Sequence, residues 1–571
     1  MADVEVASVL PKELRLGVPP KMPQARSYMF RQQSTIAQYT SGDTIQINIP
    51  RLQRSYLRKD SYLRFTLTGT WTPGAQLQTA VSFDTCGAFG LIEKIEVFDY
   101  LGSTVLESIS GMPQLMSLLM DLGLPNVIDK NIGNVSMGLS EDYVASRFMT
   151  TDFDQPTSGR ANRTLSTNVT IDNTKRVVPP SSGATIDFRY QSTAQTFVRE
   201  FAIPLPSFLG LLSDKMIPLH NGFTIVITLA TKNKPFIIGQ VYSYDGVTVT
   251  RNAGPSLALF GNTNSSASAA LPAPLSITSA LNSWNVRDVN MVCQILELGP
   301  VAESMMMSST QGQPFIVSTK AMRYYQGSIV GGASSTQATP PGVDVVDTFG
   351  QAEFTLNLNL NVASLTNILW FMRSKGQIDD IKYASCGHRT RNFLQRWVFQ
   401  YGSTSLPQNN GIQSMYTSLP TGVTVTDPNF RYGFLGSGFT EAYNELMKAR
   451  PTYLPSNRID YVGYDSDNKF NSSLDCKATG AITSLNWFSI YPSPNHPYGL
   501  GRFACGLNLE LANNKNGTVI SGLNTNGMNT SIRGYFHPNY LANMDSVVVD
   551  AYAEYDAFIN ISPGIATTVS F

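Results

Sequence analysis

Residues 91–122 read Leu-Ile-Glu-Lys-Ile-Glu-Val-Phe-Asp-Tyr, then Leu-Gly-Ser-Thr-Val-Leu-Glu-Ser-Ile-Ser, then Gly-Met-Pro-Gln-Leu-Met-Ser-Leu-Leu-Met-Asp-Leu. Ile92, Ile95, Val97 and Phe98 lie in a β-rich run, Leu101-Gly102-Ser103 interrupts it, and Val105, Leu106 and Ile109 resume it. Two β-favouring runs about a short turn that carries glycine predict a hairpin. Pro113 then suits a first helical position, and Leu115, Leu118, Leu119 and Leu122 recur at spacings of three and four. That spacing predicts one apolar helical face. The unit is strand, turn, strand, helix.

The same unit returns later. Asn392–Tyr401 is a second β-rich run, it leads into Gly402-Ser403-Thr404 (the tripeptide found at Gly102-Ser103-Thr104), and Phe439–Ala449 reads as a helix. Two further pairs of stretches match in the same order: Phe223–Ala230 with Leu507–Ala512, and Val289–Glu297 with Val547–Asp556. Four similarities in one order argue for a tandem duplication.

Composition sets the outer limits. A chain of 571 residues has room for two large β units, since all-β sandwiches often run to about 200–250 residues. Charged residues make up 14% of the chain, with 41 Lys+Arg against 41 Asp+Glu. A low charge density without net repulsion suits a protein that covers much of its surface in an assembly. With neither sign in excess, a dedicated nucleic-acid-binding role is not expected. The basic residues Arg51, Arg54, Arg58, Lys59 and Arg64 do gather, opposed only by Asp60. They read either as a solvated strand edge or as an anchoring surface for phosphate, an acidic lipid headgroup or an acidic partner. Cys86, Cys293, Cys386, Cys476 and Cys505 are scattered, which favours buried thiols in a reducing compartment over a disulfide framework. The start of the sequence lacks the cationic and apolar segments of a secretion signal, and no apolar run is long enough to span a bilayer.

In chain order, residues 1–33 read as an extended N-terminal arm, with folded sequence from about Asp43. Ile45, Ile47 and Ile49 alternate with polar residues, and Tyr62–Trp71 continues as a strand. Polar insertions fall near 123–196 and 231–283, a short helix is expected at Phe208–Leu212, and Trp284–Leu298 closes a first unit spanning 34–304. Val301–Met307 reads as a connecting helix, and Met305-Met306-Met307 within it as packing. A second unit covers 305–571. In it Phe354–Val362 alternates leucines with asparagines as a strand, Ala363–Arg373 reads as a helix or helical turn, and a third insertion lies near 450–500. Long helices and β-α alternation are missing, so the reading is all-β: two antiparallel β-sandwiches in tandem, with short connecting helices and long loop insertions.

No catalytic constellation emerges. His220, His388, His496 and His537 show no metal-ligand spacing. Gly433, Gly436 and Gly438 read as turn residues, and Asp379-Asp380 and Asp465 with Asp467 as solvated loop charge. The expectation is a non-enzyme without metal or cofactor.

Taken in order, Leu91–Ile109, Ile203-Pro-Leu-Pro206 with the leucines after it, Val289–Glu303, Ser364–Arg373, Ile520–Thr525 and Tyr552–Phe558 resemble the double jelly-roll major capsid proteins of double-stranded DNA viruses. That lineage includes adenovirus hexon and the capsid proteins of virophages and Polinton-like viruses. The likeness spans most of the chain, but its motifs are individually loose, and the insertions at 123–196 and 231–283 depart from it. It implies that each sandwich is an eight-stranded jelly roll, and that the chain forms a pseudo-hexagonal homotrimer tiling an icosahedral shell. The insertions would rise as outer towers, and the arm with Arg51–Arg64 would face minor capsid proteins or an internal membrane. The implied partners are neighbouring capsomers and minor capsid, penton or cement proteins, without sequence-specific nucleic acid. The implied location is the virion, assembled inside the host cell. Two other readings remain open at this point: a β-sandwich surface protein that binds or cleaves glycans, and a minor capsid or spike protein.

Overall fold

A computed structural model describes residues 25–72, 77–84, 86–123, 136–138, 195–204, 216–244, 249–251, 280–309, 314–331, 352–375, 378, 386–387, 389–408, 410–418, 422, 438–449, 502–510, 522–538, 541, 544, 546–562 and 567–570. The first half contributes strands β1 (Ala25–Gln33), β2 (Thr44–Ile49), β3 (Tyr62–Thr72), β4 (Ile92–Asp99), β5 (Val105–Ser110), β6 (Gln195–Pro204), β7 (Phe223–Leu229) and β8 (Ala280–Leu298). The second contributes β9 (Phe315–Ile329), β10 (Glu353–Asn357), β11 (Leu365–Ser374), β12 (Leu394–Tyr401), β13 (Thr404–Leu406), β14 (Cys505–Asn508), β15 (Thr530–Phe536) and β16 (Val547–Ile561).

The pairing order defines the fold. One sheet of the first half runs β1-β8-β3-β6 and the other β2-β7-β4-β5. In the second half the orders are β9-β16-β11-β14 and β10-β15-β12-β13. Counted within each half, both are first-eighth-third-sixth and second-seventh-fourth-fifth, and the pairs are antiparallel. This is the jelly-roll order, in which two Greek keys fold eight strands into a pair of facing sheets. The chain therefore carries two copies of one roll. The buried apolar residues of both halves belong to one continuous cluster.

Shorter pieces extend the sheets. Gln38–Thr40 and Ser55–Leu57 pair with β8, Ile412–Gln413 with β12, and Thr568–Ser570 with β16. Leu77–Phe83, Phe236–Tyr244 and Val249–Arg251 form a separate three-stranded sheet, so the expected insertion at 231–283 carries strands. Helix α1 (Met112–Gly123) follows β5, α2 (Pro300–Ser309) joins the rolls, and α3 (Thr440–Ala449) lies between β13 and β14. In α2, Met305 is exposed rather than packed.

The duplication is visible in detail. Gly102 and Gly402, with φ of 71° and 57°, both turn the fourth strand of a roll into the fifth. In the first roll the turn is wider: the Asp99 amide donates to the Thr104 carbonyl, whereas Tyr401 pairs directly with Thr404 in the second. The match of Val289–Glu297 to Val547–Asp556 joins two eighth strands. The match of Phe223–Ala230 to Leu507–Ala512 does not hold topologically, because β7 is a seventh strand and β14 a sixth. Short alternating runs of Leu and Ile look alike wherever they occur.

Three other expectations are corrected. Ala25–Gln33, assigned to the arm, is the first strand of the first roll, in register with β8 from Ala25↔Leu298 to Gln33↔Asn290. Tyr28 and Phe30 are half-buried against the core while most of its other side chains are exposed, so its apolar alternation is too short to read from sequence. Ala363–Arg373, read as helical, contains strand β11. Its side chains from Leu365 to Arg373 are buried without alternation, the pattern of a strand covered on both faces, which periodicity cannot tell from a buried helix. Trp370 packs edge-on to Trp397 and Phe354 inside the roll, at 5.4 and 5.6 Å between ring centroids. Phe371 stacks on Tyr552 and lies under the Arg389 guanidinium. Finally, the Phe354–Val362 run buries Phe354, Leu356, Leu358, Leu360 and Val362 as expected, but its ladder with β15 stops at Asn357. Beyond it, Thr530 Oγ1 accepts from the Leu360 amide and Thr525 Oγ1 from the Val362 amide, both at 3.1 Å.

The expected helix at Phe208–Leu212, the insertion at 450–500, most of that at 123–196, and His388, His496, Gly433, Gly436, Asp379, Asp380, Asp465 and Asp467 lie outside the described residues.

Candidate functional site: the junction of the two rolls

Helix α1 shows where the rolls meet. Leu115, Met116, Leu118, Met120 and Leu122 are buried, but so are Gln114, Ser117 and Asp121. A helix covered all round must satisfy its polar side chains inside the protein. The partners of Ser117 and Asp121 come from the second roll. Asp121 accepts from Arg389 Nη2 and, at 3.1 Å, from Arg502 Nη1, while Arg389 Nη1 donates to Ser117 Oγ at 3.4 Å. Arg389 and Arg502 are themselves buried. Removing one partner from a buried ion pair costs about 3–5 kcal/mol, so α1 is fixed to the second roll.

A second contact lies at Gly111, just before α1. The Tyr552 hydroxyl on β16 donates to the Gly111 carbonyl at 2.8 Å. Gly111 has φ +63°, and a Cβ there would sit 2.9 Å from the Tyr552 hydroxyl oxygen and 3.0 Å from the Tyr324 ring. Beneath it, Asp550 accepts from Tyr324 Oη and Arg373 Nε, each at 2.6 Å. Burial disfavours the charge on Arg373, but Asp550 outweighs that and raises the guanidinium further above its ordinary value. Burial, reinforced by Asp550, raises the Tyr324 phenol, so both stay protonated as donors.

A third contact joins Asp84 to the second roll. Its Oδ2 accepts from the backbone amides of Cys386 and Gly387, at 2.6 and 3.4 Å. Cys386 and burial together push the Cys86 thiol well above its ordinary value, and Cys386 Sγ lies 3.5 Å from the Lys234 carbonyl oxygen. Cysteines read as scattered in sequence thus include a pair in space. At the linker, His220 Nε2 lies 2.9 Å from Glu303 Oε1 on α2, and its ring stacks on Phe315, the first residue of β9. Asn221 Nδ2 donates to the Ser562 carbonyl at 2.9 Å.

The basic residues singled out in the sequence turn towards different elements. The Arg51 guanidinium lies 4.5 Å from the Tyr100 ring centroid. Arg54 approaches Glu303 at 3.9 Å, Arg58 pairs with Asp60 and donates to Ser27 on β1, and Arg64 makes a bidentate pair with Glu200 on β6. Lys59 is exposed. Gly438 packs closely on Tyr416, and His537 is buried with its amide donating to Phe393. Among the described residues no three His, Cys, Asp or Glu side chains are placed to hold a metal ion, and no helix is long and apolar enough to cross a membrane. The junction residues were not legible in the sequence, because these side chains find their partners far away along the chain, 268 positions for Asp121 with Arg389 and 441 for Tyr552 with Gly111.

The strand order and the joined rolls define a double jelly-roll protein. Among solved structures, the chain is similar to the mavirus major capsid protein, at 10% identity and a TM-score of 0.49, covering 99% of this chain and 93% of that one. It is also similar to a chain in the cryo-EM structure of the Sputnik virophage (11% identity, TM-score 0.48, covering 99% and 92%). A third is the Faustovirus major capsid protein (10%, 0.46, covering 98% and 94%). No family model matches the sequence, and no curated protein does.

Proposed function

We propose that this chain is a structural major capsid protein, three copies of which form a pseudo-hexagonal capsomer. The observation that carries the reading is the repetition itself: one polypeptide holds two rolls of identical strand order fixed to each other through buried ion pairs. Three such chains about a three-fold axis place six similar rolls around it. A six-sided object of that kind tiles a shell with one gene product, and neighbouring capsomers and minor capsid, penton or cement proteins are the partners.

The composition supports the same reading. With charged residues at 14% and no net charge, many copies can pack without accumulating repulsion or unpaired buried charge. The β4–β5 hairpin presents Tyr100, Leu101 and Val105, which are 44, 68 and 42% exposed in the single chain. Together with the open groove beside it, lined by Gln46, Asn48, Phe98 and Thr224, it offers surface for a subunit contact. The test is light scattering on the purified protein. A particle of three times the 62.5 kDa chain supports the proposal; a monomer at concentrations well above micromolar contradicts it.

A further inference from the structure

We infer that Cys86 and Cys386 form a redox staple, a pair of thiols that a small oxidant converts into a disulfide covalently joining the two rolls. The inference rests on the geometry of the single chain and does not need the capsid reading. Cys86 stands just ahead of the short helical turn Gly87–Leu91 in the first roll, and Cys386 precedes β12 in the second. Both are fully buried and both are free thiols. Cys386 and burial together push the Cys86 thiol well above its ordinary value.

Two independent contacts place them in one pocket of the junction. Asp84 holds the Cys386 and Gly387 amides, at 2.6 and 3.4 Å, which seats the Cys386 backbone two residues from Cys86. The Lys234–Pro235 backbone lies close to both sites. Cys386 Sγ lies 3.5 Å from the Lys234 carbonyl oxygen, and a Cβ built on Gly90 would touch both Cys86 Sγ, at 3.1 Å, and Pro235 Cα, at 3.3 Å. Gly90, lacking a Cβ, leaves open the space between Cys86 Sγ and Pro235, the residue after Lys234.

Burial decides which chemistry can reach the pair. A thiol at zero exposure is closed to glutathione-sized reagents, so the oxidant we name is hydrogen peroxide. One thiol attacks a peroxide oxygen, giving a sulfenic acid and water. The second thiol displaces hydroxide from that sulfur, forming the S–S bond and a second water. In sum, two thiols and one peroxide give one disulfide and two waters, and the two electrons lost by sulfur reduce the peroxide. Cys386 and burial both hold the Cys86 thiol in its protonated form, so the reaction is slow and belongs to prolonged oxidising exposure rather than to a fast sensor. The same burial hinders re-reduction. In a reducing cytosol the pair stays open, and once outside it closes.

The test uses the full chain, purified under reductant, exposed to hydrogen peroxide, then denatured in N-ethylmaleimide and mapped without reduction. The expected result is a peptide linking Cys86 to Cys386, an intact mass lower by two hydrogens, and alkylation of three of the five cysteines. Because the bond closes a very long loop, the unfolding midpoint should rise by about 4 °C and return on reduction. Cys293→Ser should leave the crosslink intact, whereas Cys86→Ser and Cys386→Ser should each abolish it. Independent over-oxidation of Cys86 and Cys386 without a linking peptide, or a disulfide that instead uses Cys476, would overturn the proposal.

Discussion

The hydroxyl of Tyr552 donates a 2.8 Å hydrogen bond to the carbonyl of Gly111, a residue 441 positions earlier. The last long strand of the second roll is thereby tied to the residue that launches helix α1 of the first. The Gly111 side of this contact admits no side chain, because its φ is +63° and the space for a Cβ is taken by Tyr552 and Tyr324. Gly111→Ala should therefore lower stability by about 2–4 kcal/mol, combining left-handed backbone strain with overpacking. Tyr552→Phe, which removes only the hydrogen bond, should cost about 1 kcal/mol. Urea unfolding midpoints of the two variants check both the order and the gap.

The Arg373–Asp550 pair, 3% and 0% exposed at its side chains, should behave as a unit. Asp550→Ala leaves a buried guanidinium without its carboxylate, and Arg373→Met leaves the reverse; each should cost about 3–5 kcal/mol. The double variant should cost clearly less than the two added together. A double-mutant cycle by chemical denaturation measures the coupling, and simple additivity would show that the two charges do not depend on each other.

Asp99 makes acid stability testable. Burial alone would raise its carboxyl, but the Ser103 and Thr104 amides and the Ser103 hydroxyl donate to it at 2.7–3.0 Å and hold it below its ordinary value. A carboxyl whose pKa is lower in the folded chain stabilises the fold above the unfolded value near 4, and that stability is lost as pH falls through the folded pKa. Asp99→Asn should cost about 1–2 kcal/mol at pH 7, with the difference from the parent shrinking steadily below about pH 4. Melting curves of both proteins from pH 7 to 3 give the comparison; a difference that stays constant with pH would contradict the assignment.

Thr525 and Thr530 take over where the ladder of β10 ends. Thr525→Val should strand the Val362 amide in a buried position and cost about 1–3 kcal/mol, although the substitution keeps shape and removes no apolar contact. Hydrogen exchange at Val362 should accelerate in parallel, which a loss of packing elsewhere would not produce.

What could be read in advance divides along physical lines. The hairpin at 91–110, helix α1, the leucine–asparagine alternation at 354–362 and the shared Gly-Ser-Thr turn are local patterns, and each shows its periodicity to a short window of sequence. β1 and β11 were misread for opposite reasons, the first having too little apolar character to stand out and the second too much to alternate. The junction was hidden for a different reason. Asp84, Gly111 and Asp121 are unremarkable in their own neighbourhoods and gain their roles from Cys386, Tyr552 and Arg389, which only the packing of one roll on the other brings near. The basic run at Arg51–Arg64 was conspicuous in sequence, yet its members turn to separate partners, Arg51 to Tyr100, Arg54 to Glu303, Arg58 to Asp60 and Arg64 to Glu200, and Lys59 stays exposed.

The central claim is that two rolls in one chain serve to make a three-chain object look six-sided. Electron microscopy of the purified, light-scattering-defined particle, viewed down its symmetry axis, tests this most directly. The account predicts a three-fold particle with six similar lobes of density around a common centre; a single two-lobed chain, or an assembly without three-fold symmetry, would contradict it.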